Sequence, residues 1–275
     1  MKLILSEEQQ FLKDTAKSFA RDKTPTTHFR KLRDDENTKC WDDSIWQEMV
    51  QLGWSGILVP EEFGGSDFGI AGISVIMQEL GKTLTPSPIL ATSVLGVSTI
   101  NLLGSQEQKE KYLPKIVSGD VTTALAIDEG NHHSPLDVEA TAILKGDKWS
   151  LNGQKVFIID GASADYILIV ARTSGKKGDS NGLSVFVSEK NSEGLEISKI
   201  STADCRNYSN LKMNNLVLEG NALLGEVDTA GEIIEKVLDL GRIAMASEML
   251  GNTEEAFEIT VNYLKERKQF GVLIG

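Results

Sequence analysis

One stretch of the sequence combines an aromatic side chain with a bend that could serve a ligand. In residues 156–161, Val-Phe-Ile-Ile-Asp-Gly, the ring of Phe157 precedes the bend. A bend frees backbone N–H groups from strand pairing, and such groups need another hydrogen-bond acceptor. This segment is therefore the first candidate for a binding site.

The sequence gives little support for a metal site, a phosphate-binding loop, a nucleophilic active site or a disulfide. His132 and His133 are adjacent, so they point apart and do not form a metal-binding pair. The 81–83 segment, Gly-Lys-Thr, lacks the upstream glycine of a phosphate loop, and neither a GxGxxG motif nor a nucleophile elbow occurs. Cys40 and Cys205 are far apart, which predicts a reduced intracellular protein without disulfides.

The charge balance limits the classes of molecule that the protein is expected to bind. Among 275 residues, 40 are Asp or Glu and 28 are Lys or Arg, which argues against nucleic acid as a partner. A single phosphorylated ligand stays compatible with this balance. The uncharged segment 83–106 contains Pro86 and Pro88 and is interpreted as a buried helix and not as a membrane span. We expect a cytoplasmic protein, with the mitochondrial matrix as the alternative.

Helical patterns dominate the first part of the chain. Ser6 with Gln9, and Ser105 with Gln108, form predicted capping boxes at helix starts. The stretch 21–38 is interpreted as a helix end and a connection. Further helices are predicted over 43–52, 70–82, the residues after Pro88, and 105–119. Residues 1–118 are expected to form an all-helical domain.

The apolar period changes to two after residue 121, which indicates strands. We predict a turn at 145–148, and a tight hairpin turn at Asn152-Gly153, a pair that tolerates positive φ angles. Seven short strands indicate an antiparallel β-barrel or sandwich over 119–226. The strands are expected at 122–127, 138–144, 149–159, 166–172, 183–188, 195–200 and 211–218.

The pattern returns to helical after residue 226. Thr229 and Glu232 are predicted to form a third capping box, and Gly251 is interpreted as a break or bend. Residues 227–275 would begin a C-terminal helical bundle. The fold class is thus α+β multidomain, with a β-domain between two helical regions.

Four motifs resemble those of the acyl-CoA dehydrogenase family and occur in the same order along the chain. Residues 151–158, LNGQKVFI, are similar to that family's LNGxKxWI signature, and 63–65 look like its FGG loop. Residues 238–244, LDLGRIA, resemble its (F/L)DxGRxxxA helix. Residues 263–275, YLKERKQFGVLIG, resemble its YxxxRxQFGxxIG stretch, the most specific of the four.

The resemblance implies an FAD-dependent enzyme of fatty acid metabolism that oxidises an acyl-CoA to the 2-enoyl-CoA. It also implies an electron-transfer flavoprotein or similar acceptor, and a homo- or hetero-oligomer, either dimer or tetramer. Two alternatives stay open: a non-catalytic partner subunit of a heteromeric dehydrogenase, and a flavin oxidase or monooxygenase on the same fold.

The resemblance also assigns a cofactor site in the β-domain. Phe157 matches the aromatic residue on the flavin ring, with Ile158 beside it, and Ile159 stands where many members have Thr. In the loop that departs most from the family's TEPxxGSD pattern, Asp128 and Ser134 match the T and S, and Glu129 lies between them on the E. Without the flanking motif, Phe157 would be interpreted as a core residue and Ser134 as a turn cap.

Other site residues lie in the last part of the chain. By resemblance, Asp239 and Arg242, together with Ser134, contact the substrate, and an i,i+3 helix pair is the alternative interpretation of the first two. Gly241 occupies one position of the family's catalytic Glu, and the other position is expected beyond Gly275, which leaves Glu248 as a distant guess. Arg267 and Gln269 match residues that reach the FAD of a neighbouring subunit, and Phe270 is expected to pack near them at the cofactor site.

Overall fold

The computed structural model describes residues 4–35, 39–204 and 206–275, so Cys205 lies outside the described residues. A helical layer comes first, and the predicted capping boxes at Ser6 and Ser105 are both confirmed. The helices are α1 Glu7–Lys23, α2 Thr26–Asp34, α3 Asp43–Gln51, α4 Ile70–Lys82, a π-helical segment Ile89–Gly96, α5 Val97–Leu103 and α6 Gln106–Val117.

The helical layer has its own aromatic core. Trp46 and Trp54 are buried there, and the Trp54 ring meets Phe19 edge-on with centroids 5.1 Å apart. Helix α4 and the π-helical segment carry apolar residues on nearly all sides, which is typical of helices enclosed by others. Among the helices that the structure describes, none is both long and apolar enough to cross a lipid bilayer.

The interpretation of 21–38 as a helix end and a connection is wrong for residues 26–34, because they form α2. Pro25 precedes the first residue of α2, where a fixed φ suits a helix start and the missing N–H costs nothing. The proline therefore begins a helix here. Residues 36–38 lie outside the described residues.

The β-domain is built on one sheet, and the fold class is confirmed. Its strand order is β6-β7-β3-β2-β4-β5-β8, with β1 pairing β4 in parallel, so the mainly antiparallel sheet is mixed. The strands are β1 Thr123–Ala126, β2 Thr141–Lys145, β3 Lys148–Ile158, β4 Tyr166–Arg172, β5 Leu183–Glu189, β6 Leu195–Ile200, β7 Tyr208–Glu219 and β8 Leu223–Leu224.

The turn between β2 and β3 lies at Gly146-Asp147, as predicted, but the hairpin turn predicted at Asn152-Gly153 is wrong. Those two residues lie inside β3, where the register against β7 shifts between Leu151 and Gly153. Gly153 has φ +137°, and Asn152 Oδ1 accepts a hydrogen bond from Asn215 N at 2.8 Å. The extra residue lies on β7, where Asn214 and Asn215 face Asn152 alone, so Gly153 takes its unusual φ opposite a bulge of β7 and not in a turn.

The chain ends in a long helix, α7 Ala230–Glu266, and a small hairpin of β9 Lys268–Gln269 and β10 Val272–Leu273. The third capping box is wrong, because the Thr229 hydroxyl donates backwards to Glu226 O at 2.9 Å and makes no cap bond. The break predicted at Gly251 is also wrong: α7 passes through that residue without interruption.

Gly251 serves close packing and not a bend. A Cβ added there would collide with the Gln78 carbonyl of α4, and one added at Gly81 would collide with the Glu248 carbonyl of α7. The two helices therefore meet backbone to backbone. Beside them, Gln78 Nε2 donates to Glu254 Oε1 at 2.9 Å across the same contact.

We expect Gly251→Ala to lower the free energy of unfolding by about 2 kcal/mol or more, because the methyl group must push two backbones apart. Gly241→Ala is the matched control on the same helix. There the nearest atom to an added Cβ is Leu95 Cδ2 at 2.8 Å, the movable end of a side chain. Chemical denaturation of the two variants checks this, and equal stabilities would contradict backbone contact at Gly251.

Candidate functional site

A bulge in β3 pushes Phe157 out of the sheet. Lys155 pairs with Leu211 and Ile158 with Ser209 on β7, so two residues of β3 face one residue of β7. Phe157 takes φ +51°, and its side chain is 55% exposed. A large aromatic residue held outward by strand geometry presents a flat apolar surface.

We call this outward-facing aromatic surface the Phe157 ledge, and two polar neighbours lie beside it. Phe157 N donates to Asn210 Oδ1 at 3.3 Å. The Tyr208 ring stands edge-on to the Phe157 ring, with centroids 6.2 Å apart and planes at 72°. The interpretation of Phe157 as a core residue is therefore wrong, since its ring lies at the surface beside polar groups.

The 127–140 loop lies directly against the ledge. Val156 N donates to Asp128 O at 2.8 Å, so the loop takes a hydrogen bond that a neighbouring strand would otherwise receive. The Asp128 carboxylate accepts from Ser134 N at 3.0 Å and lies 2.8 Å from His133 Nδ1. It is thus occupied in shaping the loop. The half-buried Ser134 hydroxyl makes no hydrogen bond within the described part of the chain and can serve a ligand.

A buried ion pair connects the loop to β3. Lys155 is fully buried, and its Nζ donates to Glu129 Oε1 at 2.7 Å and to Ile127 O at 2.8 Å. Burial lowers the pKa of Lys155 to about 8, and Glu129 opposes that fall. The alternation of β3 places Lys155 on the same face as buried Leu151, which is the sequence signal for its burial.

The two isoleucines of the predicted cofactor site face inward. Ile158 is buried in the core of the sheet, so only its backbone could contact a cofactor. Ile159 is half-buried and packs against the helical core. The structure therefore brings together Phe157, Asp128 and Ser134, and turns these two side chains away.

A buried carboxyl follows the ledge. Asp160 is 5% exposed, and its Oδ2 has no hydrogen-bond partner among the described residues. Desolvation raises its pKa to about 7, in spite of the nearby Arg206 guanidinium, and Glu248 adds to the rise. Sequence reasoning did not assign a role to Asp160, and a lone acid after a strand gave no signal of burial.

Glu248 lies in an ion pair that joins α7 to the β-domain. Arg206 Nη2 donates to both of its carboxylate oxygens, to Oε2 at 2.6 Å. The pair lines a cleft of about 480 Å³, whose other walls are mostly apolar. These walls include Leu84, Pro86, Met245 and Met249.

The remaining predicted residues are spread along α7 and the chain end. Arg242 Nη1 lies 2.6 Å from Asp239 Oδ1, so the i,i+3 helix pair is present on an exposed face. Buried Gly241 packs against Leu95. Three predicted residues are exposed at the end of the chain and make no hydrogen bond to the β-domain sheet in the described part of the chain: Arg267, Gln269 and Phe270.

Three family models match the chain in succession. They are the acyl-CoA dehydrogenase N-terminal domain over residues 6–120, the middle domain over 124–219 and the C-terminal domain over 231–275.

Individual relatives match across nearly the whole chain. The short-chain specific acyl-CoA dehydrogenase of Clostridium acetobutylicum is 30% identical over 273 residues, 97% of this chain and 71% of that protein. The caffeyl-CoA reductase-Etf complex subunit CarC of Acetobacterium woodii is 30% identical over 280 residues, 99% of this chain and 73% of that protein.

Solved structures share the fold. The structure described as the FAD complex of PigA superposes with a TM-score of 0.88 at 26% identity, covering 100% of this chain and 73% of that one.

We expect Asp160→Asn to remove a pH dependence of stability. Because the pKa of Asp160 is raised, its stabilising protonated form is fully present below about pH 4, where the unfolded carboxyl titrates, and is lost as the pH rises through about 7. Relative to the parent chain, Asp160→Asn should therefore gain up to about 4 kcal/mol between pH 4 and pH 8.

Urea denaturation across that pH range measures the effect. The exposed turn residue Asp147 provides the matched control, Asp147→Asn, which should follow the parent chain at every pH. Parallel curves for Asp160→Asn and the parent would show that Asp160 is not a buried titrating acid.

Proposed function

The chain belongs to the acyl-CoA dehydrogenase family, and from that premise we propose that it binds FAD and removes the α- and β-hydrogens of an acyl-CoA thioester to give the 2-enoyl-CoA. Its curated relatives include oxidoreductases, and the chain matches their family models. The observation that carries the proposal is the β3 bulge, which holds Phe157 outward beside the loop that carries Ser134. In this reading the domains divide at 1–118, 119–226 and 227–275.

The residues present suit a flavin. The exposed Phe157 ring offers an apolar face to one side of a planar ring system, and the unengaged Ser134 hydroxyl can donate to a phosphate or ring oxygen. The family's Thr is replaced by Ile159, so at that position only the backbone N–H can donate. When bound, FAD supplies the acceptor for the hydride that leaves the β-carbon.

The chain's own groups for the substrate lie along α7. Asp239 and Arg242 form an exposed acid–base pair that can meet polar groups of the CoA portion, and the guanidinium suits phosphate. Gly241 contributes no carboxylate, so the base that takes the α-proton has to come from elsewhere than this position. Both carboxylate oxygens of Glu248 are occupied by Arg206, so we do not assign the base to Glu248.

The exposed end of the chain supports assembly. We assign Arg267, Gln269 and Phe270 to a site completed in a neighbouring subunit, because Phe270 is fully exposed on its hairpin. An electron-transfer flavoprotein is the proposed electron acceptor. The relative from Acetobacterium woodii is described as a subunit of such a complex, which supports this choice.

A non-catalytic subunit is the second candidate function. It is favoured by Gly241 and by the Asp128 carboxylate, which is occupied within its own loop. Anaerobic addition of acyl-CoA thioesters of graded length to the FAD-loaded chain distinguishes the two functions. Flavin bleaching with formation of 2-enoyl-CoA supports the dehydrogenase, and bound flavin that no thioester bleaches, even with acetate added to replace the missing base, supports the non-catalytic subunit. Rapid reoxidation by oxygen would indicate an oxidase.

We expect Phe157→Ala to weaken FAD binding by about tenfold, because loss of one stacked ring removes about 1–3 kcal/mol. Titration of the apo-chain with FAD, followed by flavin fluorescence, measures the dissociation constant. Phe11→Ala on α1 is the matched control, since Phe11 is also exposed, at 75%. FAD binding by Phe157→Ala with the parent's affinity would place the flavin elsewhere.

A further inference from the structure

The geometry points to Lys155 and Glu129 as positioning residues that hold the 127–140 loop and the Phe157 ledge in the arrangement that FAD needs. The inference rests on the proposed function for the identity of the ligand. The positioning itself depends only on contacts within the chain.

The first step is the attachment of the start of the loop to β3. The Lys155 ammonium bonds Ile127 O at 2.8 Å and Glu129 Oε1 at 2.7 Å, and the next residue of the strand, Val156, donates its N–H to Asp128 O at 2.8 Å. Three consecutive loop residues are therefore fastened to two consecutive strand residues.

The second step is the closure of the end of the loop. The Glu129 carboxylate accepts from Glu139 N at 2.7 Å and from Ala140 N at 3.0 Å, in addition to the lysine. One carboxylate thus joins both ends of the loop to a single ammonium. Asp128 and Ser134 lie between these ends, so their positions depend on the Lys155–Glu129 ion pair and the hydrogen bonds that it makes.

The third step is the effect on Phe157. The bulge gives Val156 and Phe157 only one opposing residue on β7, so the Val156 N–H needs a different acceptor, and the loop supplies it. If the loop moved away, the Val156 N–H would lose its acceptor, and the bulge would no longer be stabilised in this shape. The Phe157 ring would then lose its fixed direction.

Charge explains why neither partner acts alone. Lys155 is fully buried, and Glu129 is the carboxylate that faces its ammonium within hydrogen-bond distance in the described part of the chain. Removal of one partner leaves a buried charge uncompensated, whereas replacement of both by apolar groups of similar volume is often tolerated. Stability and positioning can therefore be separated by comparing single and double variants.

The experiment compares Lys155→Met, Glu129→Gln and the double variant Lys155→Met with Glu129→Leu. Two quantities are measured on the full chain: the melting temperature without ligand, and the dissociation constant for FAD. We expect both single variants to lose melting temperature. The double variant should recover the part of that loss that comes from the uncompensated charge, but not the part that comes from the lost acceptor of Glu139 N and Ala140 N, and it should bind FAD at least tenfold more weakly than the parent.

A matched control lies at the other end of the same strand. Lys148 on β3 pairs with Glu219 on β7 at 2.8 Å, but both side chains are exposed, at 48% and 64%. Lys148→Met with Glu219→Gln should leave the melting temperature nearly unchanged and the FAD affinity within about twofold of the parent, because exposed pairs contribute little. If the double variant at Lys155 and Glu129 binds FAD as this control does, the positioning role is overturned.

Amide hydrogen exchange gives a second measurement, independent of FAD. In the parent chain the N–H groups of Val156, Glu139 and Ala140 should exchange at least tenfold more slowly than those of the exposed loop residues 130–133, even without ligand. Equal rates would overturn the inference whether or not the variants fold. Absence of FAD binding by the parent would refute the proposed function and leave this positioning measurement to be decided on its own.

Discussion

A charged ammonium buried inside a sheet has to be neutralised where it lies, and that constraint shapes the candidate site. Lys155 cannot reach solvent, so its partners have to come from within the chain. Glu129 supplies the countercharge and Ile127 a carbonyl, which draws an irregular loop against a strand. The bulge, the outward Phe157 ring and the shape of the loop all follow from that arrangement. A buried pair of this kind is weak evidence for high stability, but it fixes one geometry among several.

The other polar groups are organised by the meeting of domains. Arg206 of the β-domain reaches Glu248 of α7, and buried Asp160 lies in their electrostatic field. Two carboxyl groups and one guanidinium lie close together there, and Arg206 and Glu248 act on the pKa of Asp160 in opposite directions. This cluster borders a cleft with apolar walls and lies beyond the ledge, next to the helices. The β-domain thus has a flat apolar surface at Phe157 and, at a separate place, a charged contact with α7 through Arg206.

Local patterns in the sequence predicted the elements well, and tertiary contacts account for most of the errors. Ser6 and Ser105 begin helices because their side chains satisfy N–H groups three residues away, which short-range chemistry decides. Asn152-Gly153 and Gly251 were misinterpreted because glycine serves turns, bulges and close packing alike. The outward Phe157 was found through its motif. Asp160 was not found, since its burial depends on Arg206 and α7, which lie far along the chain.

The backbone contact between α4 and α7 also has a consequence for synthesis of the chain. Gln78 and Glu254, which meet across it, are 176 residues apart in sequence. At ribosomal speeds of about 5–20 residues per second, α4 leaves the ribosome roughly 10–35 s before its partner. During that interval its apolar surface lacks the helix that covers it in the folded chain. The nascent protein therefore passes through a period in which this surface of α4 is uncovered, although the rest of the helical layer is already synthesised.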